Sequence, residues 1–434
     1  MKKHLWLLAF CSTAYAEQVV LAQMEYQNFQ LAEKTVFTQH YDPKKQILEV
    51  TDRAEGKQPF RHKRLVQFDD KGKKILHFEE FRWDNATQQW EKDAKGEQKN
   101  ADGKEIYFSY QGKNNEWVPY GKTEKQSDGK SEAWVTYKFS ADGKMLPETK
   151  SYTLFHENKK EAAREEYEWD NLKQQWRTVS KMQHSYNVDN EKNETQYFLG
   201  RNNEWVLNQK IIYHTEADGT QVSEHSKREN EKWLPVERSE QRWSQDRRQK
   251  VTLVSRWNAQ QNSWENYQRA ETGYLPNDQI ESDNFALWDE KLQQWYIITE
   301  SRYTFDKKGR MNQIESVSPS KMGKEGKRIT YQYDEAGNVT EERIQQRFET
   351  KENIWRDMEK IRYRYDLSLR KEDVVDKDNI ADEELTPMVN ALVKKEIYRI
   401  EKNGFKLVEQ LQFSYAPLNS PLQQDRQIEK SKPK

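Results

Sequence analysis

The chain has 434 residues, 34% hydrophobic and 33% charged, with a mean hydropathy of −1.23. That balance approaches chains unable to bury enough surface to fold, yet 15 Trp, 22 Tyr and 16 Phe are burial units that disordered chains lack. A formal net charge of −1, with both signs interleaved along the whole length, excludes the basic stripe that nucleic acid or an anionic membrane would need.

The N-terminus carries a targeting pattern. Lys2 and Lys3 precede the apolar run Leu5-Trp6-Leu7-Leu8-Ala9-Phe10, and Ala14-Tyr15-Ala16 is a small-x-small cleavage site before Glu17. Residues 1–16 therefore read as a signal peptide, and an exported protein of the periplasm, cell surface or extracellular space is expected. A lipoprotein with Cys11 as the modified residue is the competing reading, disfavoured by bulky Phe10 before it. Cys11 is the single cysteine, so cleavage after Ala16 leaves no disulfide and no thiol catalyst. No apolar run is long enough to span a bilayer as a helix, and the strands read as too polar for the lipid-facing band of an outer-membrane barrel. A mature protein that is soluble or attached through a partner, with no transmembrane segment, is the expectation.

Aromatic residues seven apart recur along the chain: Trp83/Trp90, Tyr110/Trp117, Trp169/Trp176, Phe198/Trp205, Trp257/Trp264, Trp288/Trp295 and Phe348/Trp355. The residues between are amides and turn formers, as in Trp83-Asp84-Asn85-Ala86-Thr87-Gln88-Gln89-Trp90. Across a hairpin with an even loop of two or four residues, positions i and i+7 face each other, so each pair is predicted to be a cross-strand contact. A second turn type alternates with the first, at Gly72, Asp142-Gly143, Asp218-Gly219, Gly309 and Gly337, where Asp starts the turn and Gly takes the positive φ.

Between turns the period is two. Ile361, Tyr363 and Tyr365 share one face, while Arg362, Arg364 and Asp366 share the other. Successive Trp positions at 176, 205, 233, 264 and 295 put two strands and two turns in each unit. Residues 17–366 are thus predicted to be an all-β fold, a long antiparallel β-meander of repeated hairpins. With one aromatic and one charged face, such a sheet must curl on itself, spiral or pack as two layers. Residues 367–420 read as a small mixed C-terminal cap with a short helix from Met388 to Lys395 and a hairpin at Lys402-Asn403-Gly404-Phe405. Residues 421–434 read as a polar tail.

The segments Tyr333-Asp334-Glu335-Ala336-Gly337-Asn338-Val339-Thr340 and Tyr167-Glu168-Trp169-Asp170-Asn171 through Gln175-Trp176 resemble the YD-type and W-x6-W β-hairpin repeats of large exported proteins of Bacteroidetes. The resemblance covers roughly residues 60–366 and implies architecture more than activity.

Catalytic signatures fail residue by residue. Gly129-Lys130-Ser131 lacks the first Gly of a phosphate-binding loop, because Glu124 stands there. His156-Glu157 lacks a second zinc-binding His, because position 160 is Lys. The other mature histidines, His40, His62, His77, His184, His214 and His225, are scattered, and there is no Gly-x-Ser-x-Gly elbow. The Asp-Gly turns lack the alternating oxygen ligands of a calcium loop. No catalytic residue, cofactor or metal is expected. The first functional reading is a non-enzymatic scaffold for a protein or polysaccharide partner. The second is a glycan-binding module whose platform is Trp83, Trp90, Trp169, Trp176, Trp257, Trp264, Trp288 and Trp295. An enzyme assembled from residues distant in sequence is the third.

Overall fold

A computed structural model describes residues 19–42, 44–55, 60–70, 74–140, 142–320, 323–348, 354–375 and 388–417. Strands make up about three quarters of the described residues and run as one antiparallel hairpin meander. The first strand, Val19–Asn28, pairs with the last, Gly404–Pro417, in a register running from Val19↔Pro417 to Asn28↔Glu409. Twenty-six strands thereby close into a barrel. Of the three ways to finish the sheet, the chain takes the one that leaves no unpaired edge. A two-residue strand, Val374–Val375, adds in parallel to the start of the first strand.

The C-terminal region departs from its sequence reading. Residues Asn390–Glu401 form a strand rather than a helix, pairing with Arg356–Arg370 on one side and Gly404–Pro417 on the other. The hairpin at Lys402-Asn403 is present, but its strands are staves of the barrel and not a separate cap. The reason is that Leu392 and Ile397 find their partners, Tyr365 and Ile361, only when the segment is extended, with a bulge at Val393 that brings Leu392 into the buried patch with Tyr363 and Leu411. Among the described residues of the region the helical feature is one 3-10 turn, Lys371–Asp373. Residues 1–18, Gly72 and the tail 421–434 lie outside the described residues.

Hairpin polarity places the two turn types on opposite rims, with one exception at Ser140–Lys144. The four-residue loops within Asp84–Gln89, Asp170–Gln175, Asn258–Ser263 and Asp289–Gln294 all close on one rim. Their first side chain caps the turn: Asp170 Oδ1 accepts from the Leu172 and Lys173 amides, and Asp289 Oδ1 from Lys291 and Leu292. The two-residue loops Asn114-Asn115 and Asn202-Asn203, with both φ positive, share that rim. The other rim carries five-residue turns such as Glu216–Thr220 and Asp334–Asn338, where Gly219 and Gly337 hold φ of 84° and 101°. Ser140–Lys144 is an Asp-Gly turn on the first rim.

The wall is one layer thick, and the expected split into an aromatic and a charged face holds in Arg356–Arg370, where Ile361 and Tyr363 are buried and Arg362 and Arg364 exposed, but not in every strand. In the strand Ser263–Tyr274 every residue is half-buried. Fully buried apolar residues gather in two patches, one around Met24, Val339, Tyr363, Leu392 and Phe413, the other around Tyr41, Leu48, Val50, Val66 and Phe68. Elsewhere the cover comes from long cationic side chains laid over rings. The Arg256 guanidinium lies 3.3 Å from the centroid of Tyr267, Lys125 and Lys210 stand 4.7 Å from Trp134 and Trp233, and Arg328 and Arg347 flank Trp355 at 4.2 and 4.7 Å. Alkyl stems shield the ring while the charged head stays at the surface, so a composition rich in both aromatic and charged residues suits a sheet of one layer.

Candidate functional site

The structure brings both rings of each Trp pair together. Trp83/Trp90, Trp169/Trp176, Trp257/Trp264 and Trp288/Trp295 are direct cross-strand partners, edge to face, with centroids 5.1 to 5.2 Å apart. All eight are half-buried. Five strand steps along the wall, about 24 Å, separate Trp90 from Trp169 and Trp176 from Trp257. Trp264 and Trp288, by contrast, lie on neighbouring strands, so the four pairs share one rim but are unevenly spaced along the wall.

Two pairs behave differently because their loops are shorter by two residues. Trp117 faces Gly112 and Trp205 faces Gly200, not Tyr110 and Phe198. The bare glycine lets each indole reach across to a ring on an earlier strand, Phe81 at 6.0 Å and Tyr167 at 5.7 Å. A Cβ at Gly200 would sit 2.1 Å from the Thr178 carbonyl oxygen, and one at Gly112 1.8 Å from that of Lys92. These glycines are required by close backbone approach.

The opposite rim holds an open cleft of about 810 Å³ among the turns Glu216–Thr220, Ser244–Arg248 and Leu275–Gln279. Trp243 and Tyr274 form its aromatic element, centroids 5.5 Å apart and planes tilted by 32°. Trp243 is 46% exposed, unlike the eight half-buried pair rings. Asp218, Asp278, Arg242 and Arg247 line the cleft with both signs of charge, beside Thr220, Gln221 and Ser244.

The turns around it are braced. Thr220 holds the Asp218 carboxyl below the usual range, and Ser244 does the same for Asp246. Under the Glu216 turn, Arg238 joins Glu216, Glu224 and Glu240 at 2.9, 2.9 and 2.8 Å. The sequence reading passed over Trp243. Its signal was that it abuts the serine and aspartate turn Ser244-Gln245-Asp246-Arg247 and has no aromatic residue at seven-residue spacing.

Gly129 occupies a tight hairpin turn, with Asp128 Oδ1 accepting from the Lys130 amide at 2.9 Å. His184 is buried against Thr195 Oγ1 at 2.9 Å, and desolvation lowers its pKa, while His156 packs edge-on to Tyr186. Among the described residues no group of three or more His, Cys, Asp or Glu is placed to hold a metal ion, and no helix is long and apolar enough to cross a membrane.

No protein-family model matches the chain, and no curated protein matches it. Among solved structures it is similar to a protein of unknown function from Bacteroides fragilis, with 14% identity over 35% of this chain and 89% of that one, at a TM-score of 0.21. It is also similar to a porin-like protein from Bacteroides uniformis, with 7% identity over 74% and 95% of the two chains, at a TM-score of 0.15. The class of the protein, a closed barrel of antiparallel hairpins, rests on its own strand pairing.

Proposed function

We propose that the chain is an exported, non-enzymatic β-repeat barrel that works in water as an interaction scaffold in the periplasm or at the cell surface. The observation that carries this reading is charge at mid-strand on both faces. Glu79-Glu80, Glu165-Glu166, Glu237-Arg238 and Glu341-Glu342 are adjacent pairs inside strands, and neighbours in a strand point to opposite sides of the sheet. A charged residue facing lipid at the bilayer midplane is destabilising, by about 2–4 kcal/mol for Arg or Lys and by less for Asp or Glu, and charges on both sides of one strand leave neither face of this wall suited to a hydrocarbon band. The Asp turn at Tyr333–Asn338 and the Trp-flanked hairpins support the likeness to YD-type repeats.

Fractionation of cells expressing the full chain tests the reading. The mature protein, starting at Glu17, should be recovered without detergent from the periplasmic or extracellular fraction, or be released from the surface by mild washing. Retention in the outer membrane after an alkaline carbonate wash would contradict it.

A further inference from the structure

We propose that the rim cleft at Trp243 and Tyr274 binds a neutral oligosaccharide. The proposal rests on the scaffold reading and gives it a ligand class. Trp243, with Lys250 5.8 Å from its ring, is 46% exposed in a cleft whose volume falls within the roughly 300–1,000 Å³ typical of ligand sites, and an aromatic pair with convergent polar groups in such a cleft is the pattern of a binding site. The apolar face of a pyranose stacks on an indole through its axial C–H groups. The tilt between Trp243 and Tyr274 gives a second surface at a shallow angle, as a bent chain of sugars requires.

Charge decides among ligands. Two aspartates and two arginines share the lining, so an anionic ligand meets Asp218 and Asp278 and a cationic one meets Arg242 and Arg247. An uncharged ligand bearing many hydroxyls uses both, donating to the carboxylates and accepting from the guanidinium groups. The cleft is open between three turns, which lets a longer chain continue past the bound units.

The test uses the purified, full mature chain, so its outcome does not depend on where the protein resides. Isothermal titration and tryptophan fluorescence are run with cellohexaose, xylohexaose, mannohexaose, maltohexaose and chitohexaose. At least one should bind and shift the fluorescence. Trp243→Ala and Asp218→Asn should each weaken that binding at least about tenfold, while Trp288→Ala on the opposite rim leaves it unchanged and all three variants keep the native circular dichroism. Failure of every hexasaccharide to bind, or equal binding by Trp243→Ala, would overturn the proposal. Capture of a polyproline peptide or an anionic glycan at the cleft in place of these sugars would overturn it too.

Discussion

Asn338 and Asn390, 52 residues apart, meet through a hydrogen bond of 3.0 Å from Asn338 Nδ2 to Asn390 Oδ1. Asn338 is fully buried, and its Oδ1 also accepts from the Val389 and Asn390 amides at 2.9 Å each, while its Nδ2 donates to Asp334 Oδ2. One side chain thus ties the Asp turn of residues 334–338 to the entry of the strand Asn390–Glu401.

Asn338→Ala leaves the buried Asn390 amide without its partner and frees that of half-exposed Val389, at about 2 kcal/mol. Denaturant unfolding should show that loss, and hydrogen exchange should quicken first at residues 388–392.

Glu342 gives a pH signature. Burial raises its pKa, although the Tyr363 hydroxyl donates to it at 2.9 Å and Lys395 lies nearby. For an acid with a raised folded-state pKa, the native state disfavours the charged form, so stability falls as pH rises past the unfolded value of 4.5. Glu342→Gln keeps an acceptor for Tyr363 and removes that penalty. Its melting temperature should exceed the native one at pH 7 and match it near pH 4, and a lower value at pH 7 would refute the assignment.

Glu97 runs in the opposite sense. Hydrogen bonds from Lys95 and Lys99 lower its pKa to about 2, so its stabilising contribution is full above pH 4.5 and vanishes as pH falls to about 2. Melting curves of Glu97→Gln should lie below native curves at pH 6 and converge with them near pH 2.

Trp176 stabilises its hairpin edge-to-face against Trp169. Because both rings are half-buried, Trp176→Ala should cost about 2 kcal/mol, less than the roughly 3–5 kcal/mol of a fully enclosed ring. Each strand bonds only to its neighbours, so faster exchange should be confined to residues 161–201. Global loss of protection would show that the units are not independent.

Much of the fold was legible because a two-residue period and turn chemistry are local. Trp169 and Trp176 announced their pairing through the four loop residues between them, and Gly219, Gly309 and Gly337 announced turns through their need for positive φ. Closure was not legible, since Met24 and Phe413 become partners only when the whole meander has curved round. Asn390 read as helical because the apolar cluster it joins is supplied by distant strands. The cleft at Trp243 was hidden for the same reason, with Asp218 and Tyr274 arriving from strands on either side.

Closure of the barrel is tested most directly by a disulfide across the seam. Gln27 and Gln410 are cross-strand partners on the first and last strands, and Cys11→Ser removes the single native cysteine. Opposed strand residues lie within the roughly 4.4–6.8 Å Cα separation that a disulfide spans. The closed barrel predicts that Gln27→Cys/Gln410→Cys forms an intramolecular bond under mild oxidation, detected by mass spectrometry of the linked peptides. The control Gln27→Cys/Gln209→Cys should keep both thiols free. Free thiols in the seam variant, or bonds formed only between molecules, would contradict a closed ring.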